Sequence, residues 1–344
     1  MKRGVLMNIF RIVQKRTNRR KRDENPWREV PAVLLFVFLL PYVISCLWGH
    51  IGEEAEVFYR IKEEETDWLD VRYEVVLSGN WGKKRMTMQE YLIWKLEMVM
   101  PEEDDSIAYE LEALKAQAVL LRTELWELFS AQEASAEEPV ILQEEAFPYQ
   151  DVETNGWEKE AKYRQAVQET DGIFLAYEDR PVKAAFFPVS SGRTRNAEEA
   201  LKSSNYPYLV SVECGQDIMS ADYQSQVVLS KETYCALAAP LFIGNGEEAL
   251  WEGIEFHYDS AGYVMEVIFQ GNSCNGEMFR SALGLPSACF RADWKEKEVV
   301  FHVKGIGHGF GMSQYGANRK AAAGETFDNI LMDYFFQAEL VKIE

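Results

Sequence analysis

The longest break in the polar pattern comes early. From Val30 to Gly52 the chain has no Asp, Glu, Lys or Arg, and Ala32–Leu40 (AVLLFVFLL) is apolar without interruption. About 20 such residues suffice to cross a bilayer, so a transmembrane segment is expected at 30–52. Further on, the spacing becomes that of amphipathic helices. Within Met86–Pro101 the apolar positions recur at helical intervals, predicting a helix from about Gln89 that Pro101 ends. Asp105-Ser106 offers a cap for a second helix over Tyr109–Phe129, whose Leu111, Leu114, Ala118, Leu121 and Leu125 fall on one stripe. A third is predicted near Trp157–Thr170, a short one after Ser230, one near Glu277–Leu283, and two close the chain.

Strand patterns interleave with these helices. They fall at Val71–Leu77 (VRYEVVL), Ile173–Tyr177, Val182–Val189, Tyr208–Val212, Val264–Phe269 and Val299–Val303. A short turn between the second and third of these reads as a hairpin. Gln132–Glu145 (QEASAEEPVILQEE) is acidic and broken by Pro139, so it reads as a surface loop, part of a variable insertion near 131–147. Hairpins without regular βαβ alternation predict an α+β fold. The organisation expected is a tail at 1–29, an anchor at 30–52, a stalk with first strands at 53–85, and one domain over 86–344.

Charge orients this plan. Residues 1–30 hold 10 Lys/Arg against 3 Asp/Glu, or +7, whereas the remainder carries −27. The basic flank Lys15, Arg16, Arg19, Arg20, Lys21 and Arg22 belongs in the cytoplasm by the positive-inside rule, which places everything after His50 outside the cell membrane. A buried core helix is the bland alternative, but core helices seldom carry so one-sided a flank. A second alternative is removal of the segment: Val43-Ile44-Ser45-Cys46 loosely resembles a lipoprotein cleavage box, with Cys46 lipidated. The basic lead-in is long for a signal peptide, which favours the anchor. An acidic body repels phosphate backbones, so nucleic acid is excluded as a partner. Five scattered cysteines without a CxxC fit neither a disulfide framework nor a zinc site. Buried thiols are the default, with one pair among Cys214, Cys235, Cys274 and Cys289 left open.

Candidate chemistry concentrates at Gly305–Ala317 (GIGHGFGMSQYGA). Four glycines alternate around His308, leaving backbone that a ligand could approach, and Ser313 reads as the N-cap of a helix. The alternative is a tight glycine turn with His308 a satisfied core residue. This segment closely resembles the C-terminal signature of the stage II sporulation protein D / amidase-enhancer (SpoIID/LytB) family. Further matches occur in order: Glu112–Ala118 (EALKAQA) with Arg122-Thr123, Ser190–Thr194 (SSGRT), Tyr206–Leu209 (YPYL) and Arg280–Leu285 (RSALGL). The resemblance implies action on peptidoglycan. The sporulation members are lytic transglycosylases that cut glycan strands stripped of stem peptides, and the amidase-enhancer members stimulate a wall amidase. It also carries over candidate glycan contacts: Arg122, Ser190, Ser191, Gly192, Thr194, His308, Gly309, Gln314 and Tyr315.

One departure changes the reading. Lytic members have a catalytic Glu before Met-Pro, in a frame opened here by Glu90-Tyr91; Met100-Pro101 matches, and Val99 occupies the Glu position. Valine cannot protonate a glycosidic oxygen. Glu97 lies two residues back, about 200° around the helix, and Glu102 follows the proline. The favoured expectation is therefore a non-catalytic peptidoglycan-binding protein working with a wall amidase and other membrane proteins of an engulfment-type complex. The alternative is an active lytic transglycosylase using Glu97 or Glu102. Some relatives hold a structural zinc near the serine loop, but Phe186–Ser191 (FFPVSS) has no ligand, so neither metal nor cofactor is expected. The family's terminal Tyr-Tyr-Pro-Gly becomes Tyr334-Phe335-Phe336-Gln337, which predicts a different last turn.

Overall fold

Thr87 starts the helix that matters most for the site. Its hydroxyl accepts from the Glu90 amide, and the Glu90 carboxylate accepts from the Thr87 amide, a reciprocal cap written in the sequence as Thr-x-x-Glu. The computed structural model describes residues 69–101, 108–131, 139–143, 157–242, 251 and 253–343. The anchor at 30–52, the tail, residues 53–68, Cys46, Glu102 and the Asp105-Ser106 cap lie outside the described residues. Among those described, no helix is long and apolar enough to cross a membrane.

In chain order the elements begin with α1 (Leu69–Arg72), β1 (Glu74–Gly79), β2 (Gly82–Thr87), α2 (Met88–Val99), α3 (Leu111–Ala131), β3 (Val140–Gln143) and α4 (Trp157–Glu169). There follow β4 (Ile173–Tyr177), β5 (Arg180–Pro181), β6 (Phe186–Phe187), α5 (Ala197–Leu201), β7 (Gln224–Ser230) and α6 (Lys231–Ala238). The remainder is β8 (Ile254–Tyr258), β9 (Val264–Phe269), β10 (Asn272–Asn275), α7 (Gly276–Ala282), β11 (Phe290–Trp294), β12 (Glu298–Lys304), β13 (Met312–Ser313), α8 (Gln314–Ala322), α9 (Phe327–Tyr334) and β14 (Glu339–Lys342). The fold is α+β, with small sheets ordered β2-β1-β3, β14-β4-β5, β11-β12-β7 and β10-β9-β8.

Two apolar cores organise these elements. The first surrounds α3, whose Leu114, Ala118, Leu121 and Leu125 are buried as the stripe requires, together with Leu92 and Leu96 of α2 and Ile330 and Leu331 of α9. The second is aromatic: Phe279 of α7 stacks on Phe290 of β11, and Phe256, Phe269 and Phe301 complete the cluster. Ser230 caps α6 through its hydroxyl, as the helix predicted after it requires.

Several expectations are corrected. Residues 69–72 form a helical turn, not the start of the strand, because both carboxylate oxygens of distant Asp171 accept from the Leu69 and Asp70 amides at 2.9 Å. The loop expected at Gln132–Glu145 contains β3, which pairs in parallel with β1, Val75 opposite Val140. Burial of Val140 explains it, since a four-residue strand is held by the core it enters. Within the segment expected to hold a stalk and first strands, β1 packs its Val75 and Leu77, both fully buried, into the first core. Of the strand expected at Val182–Val189 only β6 is laddered; β5 ends before it at Pro181, and Pro188, which cannot donate to a ladder, follows β6. Tyr208–Val212 starts in a turn and forms no strand: the Leu209 amide donates to the Tyr206 carbonyl, the Thr194 amide to the Val212 carbonyl, and the Val212 amide to the Thr194 hydroxyl. Strands β8, β10, β11 and β14 were not foreseen. In the last turn Gln337 adopts φ 56°, the left-handed backbone that glycine would take without strain.

Candidate functional site

The glycine-rich turn joins β12 to β13. Gly305, Gly307, Gly309 and Gly311 all have positive φ, from 70° to 102°. Their missing side chains make room for the protein itself, which corrects the expectation of a backbone open to ligand. A Cβ on Gly311 would strike the Ala185 carbonyl, one on Gly307 would lie 2.7 Å from Phe187, and one on Gly309 would lie 2.6 Å from the Tyr263 ring. The amides of Gly305, Ile306, Gly307 and Met312 donate to the carbonyls of Tyr223, Val189, Pro286 and Ala185.

His308 at the apex is half-buried. Its ring stacks on Phe310 at 5.9 Å and tilts against Phe187 at 5.6 Å, and Nδ1 accepts from the Phe310 amide at 3.1 Å. Burial pushes its pKa below the usual histidine value, with Glu277 pulling the other way. The result is a neutral imidazole with Nδ1 as acceptor. Sequence reasoning missed Arg195, which builds this apex. Its backbone amide donates to the Gly309 carbonyl, its guanidinium pairs with buried Asp259 at 2.6 Å, and the same group lies over the rings of Phe310 and Tyr263. Its place directly after Thr194 was the only available signal.

The serine loop and the start of α8 meet beside this turn. Ser190 is fully buried; its amide donates to Asp217 Oδ2 at 2.7 Å, and its hydroxyl accepts from the Gly192 amide. Thr194 is buried and staples the loop to Val210 and Val212. Both are therefore structural, not ligand contacts. Ser191 and Gly192 stay half-exposed, and the Ser191 hydroxyl donates to the Ala261 carbonyl at 3.5 Å. Ser313 caps α8 and also donates to Asp217 Oδ2 at 2.6 Å, while the Tyr315 amide donates to the Pro188 carbonyl. Tyr315 is half-exposed.

Position 99 lies at the end of α2, against this assembly. Gln314 Nε2 donates to the Val99 carbonyl at 3.0 Å and to Gln117 Oε1 at 3.1 Å, and the Tyr163 hydroxyl fixes the next carbonyl, that of Met100. Gln314 is thus buried behind position 99 instead of offered to a ligand, a correction. The Val99 side chain is half-buried and packs against the first core. Glu97 is exposed on α2.

Arg122 requires the largest correction. It is fully buried in α3, with Asp70 accepting from Nε and from Nη2 at 2.6 Å, and with the Val167 and Ile173 carbonyls taking further donors. It joins α1, α3, α4 and β4 and reaches no groove. Cys214, Cys235, Cys274 and Cys289 are free and buried.

An α+β domain in which a glycine-histidine turn, a serine loop and the end of a capped helix converge is of the sporulation-protein type: residues 81–177 match the family model described as Stage II sporulation protein. The likeness extends further. The chain is 31% identical over 274 residues to Stage II sporulation protein D of Bacillus amyloliquefaciens, and 30% identical over 274 residues to that of Bacillus subtilis, in each case covering 76% of both chains. The chain belongs to the stage II sporulation protein D family.

Proposed function

We propose that this is a membrane-anchored, outward-facing protein of wall remodelling in sporulation that binds peptidoglycan glycan without cutting it and works with a wall amidase. The observation carrying this reading is Val99. Its carbonyl is bonded to Gln314 of the glycine-rich signature, so position 99 lies among the family's motifs, and the side chain there is hydrocarbon. Cleavage of a glycosidic bond requires a group that gives a proton to the leaving oxygen and takes one back. Glu97 stands exposed two positions earlier on α2 and offers no such group at position 99. The half-exposed Ser191, Gly192, His308 and Tyr315 remain as polar surface for a hydroxyl-rich ligand. The uncharged stretch 30–52, with its basic flank, supports the anchor and the outward orientation.

The test is incubation of the full-length protein, in detergent, with glycan strands stripped of stem peptides. Pelleting with the strands and no release of anhydro-muropeptide ends is expected, and Val99→Glu is expected to gain release. Release by the wild type would overturn the reading and favour an active lytic transglycosylase using Glu102 or Glu97. Stimulation of a purified wall amidase tests the partner.

A further inference from the structure

Asp217 belongs to none of the sequence motifs, yet it touches two of them. It sits in the 3-10 turn Gly215–Met219 and is fully buried. One oxygen, Oδ2, accepts from the Ser190 amide at 2.7 Å and from the Ser313 hydroxyl at 2.6 Å. The other, Oδ1, is buried without a hydrogen-bond partner among the described residues. It lies beside Gly316, where a Cβ would come within 2.8 Å of it and would also strike the Tyr334 hydroxyl. No Lys or Arg among the described residues forms an ion pair with it. The titratable groups facing the pocket are Cys214, Tyr223 and Tyr334, all neutral there because burial raises their pKa values; Lys320 of α8 is held by Asp333 and Glu325.

We propose that Asp217 is the positioning residue of this site: it locks the serine loop to the start of α8, so that Ser191 and Tyr315 are presented together, and it does so best as an uncharged carboxyl. The geometry asks for this form. A carboxylate anion accepts on both oxygens, and a buried oxygen left without donors disfavours the charge, whereas a protonated Oδ1 needs no donor and only one acceptor for its proton. Burial accordingly pushes its pKa above the usual carboxylate value. The folded protein therefore holds the proton more tightly than the unfolded chain does. The lock is complete below about pH 4 and weakens as the pH rises through the folded value.

The proposal rests on the glycan-binding reading for its consequence, not for its geometry, and the experiment separates the two. Amide exchange at 188–192 and 313–316, corrected for intrinsic rates, and pelleting on stripped glycan are measured at pH 5 and pH 8 for the full-length wild type, Asp217→Ala and Asp217→Asn. For Asp217→Ala, local exchange at both segments should rise about tenfold while protection of α3 is retained, and pelleting should weaken. Asparagine accepts the same two hydrogen bonds without charge. Asp217→Asn should therefore keep exchange below that of Asp217→Ala and lack the wild type's rise in exchange with increasing pH. Unchanged exchange in Asp217→Ala, loss of protection throughout α3, or an Asn variant behaving as Ala does would each overturn the proposal. Failure of the wild type to pellet would overturn the glycan reading alone, with the exchange data still deciding the lock.

Discussion

Arg122→Met probes whether this residue serves the core or a ligand. The guanidinium is fully buried and donates to Asp70, Thr170, Val167 and Ile173. Methionine nearly fills the volume but leaves Asp70 facing apolar surroundings without its cation. Removing one partner of such a pair costs about 3–5 kcal/mol, far more than the pair itself contributes. Burial already raises the Asp70 pKa despite Arg122 beside it, so in the variant the acid should escape by taking up a proton. The cost should therefore be largest near pH 8 and shrink toward pH 5, because a carboxyl with a raised folded pKa loses stability as pH rises through it. Urea unfolding of the full-length protein, followed by tryptophan fluorescence, measures this directly. Asp70→Leu combined with Arg122→Met should recover most of the loss, since it removes the stranded charge. A single variant within about 1 kcal/mol of wild type, or one that keeps stability and loses glycan pelleting, would refute the argument.

Other outcomes follow from individual side chains. Gly311→Ala combines a positive φ of 72° with collision against the Ala185 carbonyl, and should cost about 2–4 kcal/mol in the same urea assay. Cys214, whose pKa is pushed up to about 12, and Cys274, pushed up to about 11, should resist a thiol reagent at pH 8 in the folded protein and react on unfolding. Rapid labelling of either while the fold persists would contradict their burial. His308 has a lowered pKa, so the unfolded chain takes up its proton first, and stability should fall as pH drops below about 6.5; His308→Asn should flatten that acid limb. An identical limb in the variant would assign it elsewhere.

Local signals carried much of the architecture. The stripe on α3, the Thr87–Glu90 box of α2, the Ser230 and Ser313 caps, and strands β4 and β9 are all properties of neighbours within a few positions. The frame Glu90-Tyr91 to Met100-Pro101 likewise located Val99 without coordinates. β3 escaped because its Val140-Ile141-Leu142 run is only three residues long between Pro139 and an acidic stretch, and its partner β1 lies far upstream. The helical turn of α1 escaped because its cap, Asp171, lies about a hundred positions away.

The roles of the polar motif residues divide along the same line. That Ser190, Thr194, Gln314 and Arg122 occur in recognisable segments was legible, because a motif is a pattern of types and spacings. Whether each faces a ligand or a neighbouring backbone group was not, because the same donors and acceptors satisfy either. Only the assembled chain showed Gln314 turned to Val99, Ser190 to Asp217, and Arg122 to Asp70 across 52 positions. The sequence by itself determined the longer helices and which residue stands at position 99, since periodicity, capping and spacing act locally. Tertiary structure decided which polar groups are enclosed, since a buried donor must find its acceptor wherever the fold brings one.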